Sequence, residues 1–189
     1  MNPLPFHRAP YDEMRGSRFA RLKRTLVYSC ESGTKRMRIL LVHGPNLNRL
    51  GSRDRTIYGT VTLAEIVDAA REHARAKGAE VVPFQSNHEG DLIDWIQAQA
   101  PQADAIVINP GGLAHSSVSL RDALEDARVP VVEVHISDPA AREPFRHPLI
   151  TATAAATIIT GKGLAGYLEA FDFVLSRPGG QARALRDRR

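Results

Sequence analysis

From residue 38 onward, short apolar runs alternate regularly with helix-patterned segments, and this alternation constrains the fold more than any other feature of the chain. RILLVH (38–43), AEVVPF (79–84), ADAIVINP (103–110) and VPVVEVHIS (129–137) read as buried parallel strands, and ATAAATIIT (152–160) as a weaker fifth. Between them lie helices over 61–78, 89–100, 117–127 and 164–176, with a short Arg-bearing helical piece near 140–146. In the first helix Thr62 and Glu65 form a capping box, and Gly78 closes the C-terminus. Strict strand–helix alternation requires right-handed crossovers between parallel strands. The expected fold is therefore α/β: a flavodoxin-like, doubly wound, five-stranded parallel sheet in a three-layer sandwich, with strand order 2-1-3-4-5. Ligands of such sheets sit beyond the carboxyl ends of the strands, at the switch between strands 1 and 3.

The net charge of +4 divides unevenly. Residues 1–36 hold eight Lys/Arg against three Asp/Glu, and 177–189 hold five Arg against one Asp. The 37–176 body is left with twelve basic and seventeen acidic residues. A nucleic-acid binder carries its basic charge on a folded face, so nucleic acid is not an expected partner. No run of about eighteen apolar residues is present, so no membrane span is expected. Cys30 is the one cysteine, consistent with a reducing, cytoplasmic compartment. Residues 1–36 lack the apolar stretch of a secretory signal. They read as a basic, disordered extension, or as residues upstream of a true start at Met37. Residues 177–189 read as a basic tail and 37–176 as the catalytic domain.

Polar or glycine-rich segments follow four successive strands: GPNLNRLG after His43, QSNHEG (85–90), NPGGLAHSS (109–117) and the end of EVHIS (133–137). Together they mark one sheet edge as the site. Taken singly, GPN and PGG are ordinary turn sequences, and GGLAHSS matches neither standard phosphate-loop pattern. His73 and His88 read as surface residues. His135 differs, because Glu133 lies two residues earlier on the same face of the strand. A carboxylate beside an imidazole orients it and favours its protonated form, which suits a general acid, although a purely structural pair has the same spacing. His115, His135 and Glu133 lack metal-site spacing, so no metal is expected.

HGPNLNRLGSRDRTIYG (43–59) has almost no hydrophobic pattern, and long unpatterned loops in compact domains are usually functional or disordered. Arg53 and Tyr58 lie five residues apart within it. At pH 7 only about one tyrosine in a thousand is ionised, a cost of about 4 kcal/mol. A guanidinium about 4 Å away, at an effective dielectric of about 20, offers a Coulomb attraction of about that size. Desolvated under a closing loop, the tyrosinate is a competent base for a proton α to a carbonyl.

GPNLNRLG followed by an arginine and YG, with QSNHEGDLIDWI, NPGGLAHSSVSLRDAL, EVHIS and REPFRH in the same order, resembles the type II 3-dehydroquinate dehydratases over about residues 38–176. The resemblance implies a hydro-lyase that converts 3-dehydroquinate to 3-dehydroshikimate through an enolate, with neither cofactor nor Schiff base. The reaction is a step of the shikimate pathway to chorismate and the aromatic amino acids. In that reading Tyr58 is the base, Arg53 promotes its tyrosinate, and Asn46 holds the enolate oxygen through a water. His135, oriented by Glu133, protonates the departing hydroxyl. Asn109, His115, Asp122, Ile136, Ser137 and Arg146 bind substrate, and Arg142 is a lid or intersubunit residue. The resemblance further implies a homododecamer built of trimers, with Asp122 supplied by a neighbouring subunit.

The chain departs from the family pattern at Arg55, where proline is usual, at Asp138, in the stretch RHPLITATAAATIITGKG with its Lys162, and in its N-terminal extension. Arg55 loosens the lid and adds a second cation near Tyr58. Two alternatives follow: a paralogue that binds quinate-like ligands without turnover, and the same reaction serving quinate breakdown.

Overall fold

The computed structural model describes residues 36–176. Most of the extension expected over 1–36, and the whole tail expected over 177–189, lie outside the described residues. One parallel sheet contains β1 (Met37–His43), β2 (Ala79–Gln85), β3 (Ala105–Asn109), β4 (Val131–His135) and β5 (Thr157–Thr160), in the order β2-β1-β3-β4-β5. The helices are α1 (Arg55–Tyr58), α2 (Leu63–Ala76), α3 (Glu89–Gln99), α4 (Val118–Asp126) and α5 (Gly163–Leu175). This is the doubly wound order that the strand–helix alternation predicts.

Two apolar layers hold the sandwich together. Ile39, Leu41, Val107, Val132 and Val134 on one face of the sheet pack against Ile66 and Ala70 of α2 and Tyr167 and Phe171 of α5. Leu40, Val42, Ile106 and Ile108 on the other face meet Leu92 and Ile96 of α3 and Leu120 and Leu124 of α4. Each fully buried side chain of this size contributes about 1.5–3 kcal/mol. Because both faces are covered, the central strands are apolar except toward their carboxyl ends, where His43, Asn109, Glu133 and His135 lie, and their side chains alternate between the two cores.

Local signals set the helix ends. Both halves of the Thr62–Glu65 capping box form, and Gly78 follows α2 at φ 74°. Ser117 caps α4 by accepting from the Leu120 amide at 2.8 Å. No helix among the described residues is long and apolar enough to cross a membrane.

The register places His43 beside Gln85 and Asn109, and His135 beside Thr160, so the polar strand ends come out along one edge. There the chains leaving β1 and β3 touch. A Cβ on Gly44 would lie 2.2 Å from the Pro110 oxygen, and one on Gly111, at φ 60°, would lie 2.8 Å from the Pro45 oxygen. Backbone blocks both positions, so only glycine fits either one.

Three expectations are corrected. β5 starts at Thr157, and the stretch expected to open it forms a 3-10 turn, Thr151–Ala154. That turn is drawn off the sheet edge by the Ile150 amide donating to the Ala114 oxygen at 2.7 Å and by Thr151 reaching Glu133. The piece near 140–146 is two 3-10 turns, Pro139–Ala141 and Pro144–Arg146, each begun by a proline. The 43–59 stretch is partly ordered into a 3-10 turn at Leu47–Arg49 and the single-turn helix α1.

Candidate active site

At this carboxyl edge lies a cleft of about 150 Å³, open to solvent, whose lining includes Asn46, Arg53, Tyr58, Asn109, His115, His135, Ile136, Ser137, Arg142 and Arg146. Ten of the twelve site residues expected from sequence therefore meet in one place. Glu133 lies directly behind His135, fully buried. Asp122 is not part of the lining: it is exposed on α4 and paired with Arg121 at 2.9 Å. Nor does QSNHEG line the cleft. It supports the cleft from behind, where Asn87 Oδ1 accepts from the Asn46 amide at 2.9 Å and from Gln85 Nε2 at 3.1 Å. Asn46 sits at φ 68°, a left-handed conformation that asparagine tolerates better than most residues.

Tyr58 is carried by α1. Asp54 caps that turn by accepting from the Thr56 amide at 2.9 Å and the Thr56 hydroxyl at 2.6 Å, bonds that hold the Asp54 carboxyl below the usual carboxylate range. Arg53 Nη2 donates to the Tyr58 hydroxyl at 2.9 Å, with its guanidinium carbon 3.9 Å from the ring centroid. Arg142 Nη1 reaches the same hydroxyl at 3.4 Å. This contact is the leading cause that holds the Arg142 guanidinium above its ordinary value. Two cations thus flank one phenol oxygen, and the second was read from sequence only as a lid or intersubunit residue. Glu143 ties Arg142 (3.3 Å) to Arg146 (2.9 Å). Among the described residues no carboxylate lines the cleft alongside its three arginines, so it suits an anionic ligand.

His135 Nε2 donates to Glu133 Oε1 at 2.7 Å, and Thr151 Oγ1 donates to Glu133 Oε2 at 2.7 Å. With Nε2 committed, Nδ1 is the atom left to exchange a proton in the cleft. His115 is fixed the opposite way, its Nδ1 donating to the Pro148 carbonyl at 2.9 Å. Asn109 has both ends of its amide held: Nδ2 donates to the Tyr167 hydroxyl at 2.9 Å, and Oδ1 accepts from the Gly111 amide at 3.1 Å. Sequence reasoning missed Thr151 and Tyr167, since a threonine in a Thr/Ala-rich run and a tyrosine in an apolar helix carry no signal of their own. His73 and His88 also lie away from the cleft, with His73 bonded to Asp172 at 2.6 Å between α2 and α5. Among the described residues no cluster of His, Cys, Asp or Glu is arranged to hold a metal.

His43, beside Asn109, is buried with neither ring nitrogen hydrogen-bonded, and it packs on Tyr167 with centroids 5.6 Å apart. Burial pushes it down to about 4, opposed only by the Phe84 backbone. The unfolded chain protonates this ring at the ordinary 6.5, so unfolding takes up a proton between the two values. The contribution to stability is complete above about pH 6.5 and lost as pH falls to about 4, a drop of about 3 kcal/mol. Urea unfolding at pH 7, 5.5 and 4 should show this decline, and His43→Leu should flatten it. An equal slope in the variant would remove His43 as its cause.

Comparison with known proteins identifies the family. The family model described as "Dehydroquinase class II" matches residues 37–175. A 3-dehydroquinate dehydratase of Herminiimonas arsenicoxydans is 54% identical over 140 residues, covering 74% of this chain and 97% of that protein. A catabolic 3-dehydroquinase of Neosartorya fischeri is 49% identical over 136 residues, covering 72% of this chain and 91% of that protein. The crystal structure of a type II dehydroquinase from Butyrivibrio crossotus superposes with a TM-score of 0.73 at 43% identity, over 75% of this chain and 99% of that one. With the five-stranded sheet, the paired Arg53–Tyr58 and the buried Glu133–His135 all present, the chain belongs to the class II dehydroquinase family.

Proposed function

We propose that this chain is a hydro-lyase that dehydrates 3-dehydroquinate to 3-dehydroshikimate. The observation that carries the reading is the Tyr58 hydroxyl, held by Arg53 at 2.9 Å and opening on the cleft that His135 also lines. Tyr58, as phenolate stabilised by the two guanidinium groups, removes a proton from C2, α to the C3 ketone, leaving an enolate. Asn46 steadies the enolate oxygen through a water. The electron pair returns to form the C1–C2 double bond and expels the C1 hydroxyl, which takes a proton from His135 Nδ1 and leaves as water. Arg146, Asn109, His115 and the Ile136–Ser137 segment hold the ring hydroxyls and the carboxylate. Asp122 completes the site from a neighbouring subunit of a homo-oligomer, a dodecamer built of four trimers. The single Cys30 supports a reducing, cytoplasmic setting.

The reaction serves the shikimate route to chorismate. Relatives named as catabolic enzymes are nearly as similar, so quinate breakdown is the alternative setting.

The direct test is purified protein with 3-dehydroquinate, following the conjugated enone of the product in the ultraviolet. Turnover should appear and should survive borohydride, because no lysine imine is formed. Substrate binding without turnover would favour a binding paralogue, with Arg55 the first residue to replace by proline.

A further inference from the structure

Thr151 is placed where none of the proposed chemistry uses it. It is fully buried, like Glu133, and its hydroxyl donates to Glu133 Oε2 while Oε1 serves His135. The same segment donates the Ile150 amide to the Ala114 oxygen and accepts His115 Nδ1 on Pro148. It is therefore anchored both to the turn that follows β3 and to β4. We infer that Thr151 is a positioning residue for the dehydration, completing a Thr151–Glu133–His135 chain that keeps His135 in its protonated, acidic form. The inference rests on the reading of His135 as the acid.

The physical reason is a competition for one proton. A carboxylate cut off from water needs donors on both oxygens. With Thr151 in place, Glu133 remains an anion and the proton between them stays on His135 Nε2, so the imidazolium can give up its second proton from Nδ1. Without the hydroxyl, Oε2 loses its donor and the anion becomes costly, so the Nε2 proton moves onto Glu133 and leaves a neutral imidazole, a far weaker acid at Nδ1. The fully deprotonated pair suffers as well, so the pair as a whole holds its proton more tightly. Thr151→Val should thus lower the kcat plateau while moving the alkaline limb of the pH profile upward.

Other titratable groups near the pair come from separate elements. His115 leads from β3 into α4, on which Arg121, Asp122 and Glu125 pair with one another at the surface. Asp138, Arg142, Glu143, Arg146 and His147 follow β4, and Arg53 and Tyr58 come from the lid. On the opposite face of the sheet, burial keeps His43 and Tyr167 neutral near pH 7. None of these donates to Oε2, so a shift of the limb on removing the Thr151 hydroxyl reports on Glu133.

The experiment compares Thr151→Val, Thr151→Ser and His135→Asn with the unaltered protein, measuring kcat, KM and the pH profile of kcat beside thermal unfolding. For Thr151→Val we expect kcat down about 10- to 100-fold, the loss of one hydrogen bond to a buried charge. KM should be nearly unchanged and the alkaline limb displaced upward. Thr151→Ser, which keeps the hydroxyl, should recover most of the rate and the original limb. A valine variant with the limb unmoved, or a serine variant as slow as valine, overturns the inference. If valine does not fold, the serine variant together with Thr151→Ala decides the same question. Full activity in His135→Asn would instead refute the acid reading, separately from the role of Thr151.

Discussion

Tyr58→Phe should abolish most turnover, with kcat falling about 10³-fold, within the about 10²–10⁴-fold that a positioned base supplies. The side chain loses one oxygen, and that oxygen receives Arg53 at 2.9 Å and Arg142 at 3.4 Å. The phenyl ring still fills its place beneath the Arg53 guanidinium, 3.9 Å from the ring centroid. Folding and KM should therefore change little. The check is steady-state kinetics together with binding of the substrate by calorimetry. A variant that binds normally and turns over within about tenfold of the parent would exclude Tyr58 as the base. Arg53→Gln probes the same step from the other side. It leaves the phenol but removes the nearer of the two cations, so its rate should lie between the parent and Tyr58→Phe.

The second large effect is expected at His135. His135→Asn keeps a hydrogen-bonding side chain next to Glu133 but provides no group that can deliver a proton near neutral pH. The C1 hydroxyl must then leave without a positioned acid, and kcat should fall by about 10²–10⁴-fold. Proton removal at C2 does not depend on His135. Exchange of the C2 proton with solvent deuterium should therefore persist in His135→Asn and disappear in Tyr58→Phe. That contrast separates the two halves of the reaction, and loss of exchange in both variants would overturn the division of labour. Glu133→Gln should show a smaller loss, since the imidazole remains while its charged partner, at 2.7 Å, is gone.

These pairings were legible because they rest on local relations. Glu133 and His135 share a face by the two-residue period of a strand, and Arg53 and Tyr58 are joined across one turn. The Thr62–Glu65 box depends only on residues three apart. The strand order followed from the alternation of strand and helix, and the location of the cleft followed from that order.

What failed in the sequence reading failed for a common reason. The Ala- and Thr-rich stretch at 152–160 reads as one weak strand, yet only Thr157–Thr160 joins the sheet. Its preceding turn is held by contacts with Ala114 and Glu133, residues 36 and 18 positions away from their partners Ile150 and Thr151. The Tyr167–Asn109 bond spans 58 positions, and the Arg142–Tyr58 contact spans 84. No periodicity encodes such pairs.

The sequence by itself determined the doubly wound sheet, the edge that carries the cleft and the chemical types gathered there, because hydrophobic period, caps and turns act over a few residues. Only the tertiary structure decided which groups hold those side chains in place: Thr151 behind Glu133, Tyr167 behind Asn109, Arg142 over Tyr58, and His43 kept neutral in the core. Each depends on burial and on distances between segments far apart in the chain, which exist only once the two cores have closed around the sheet.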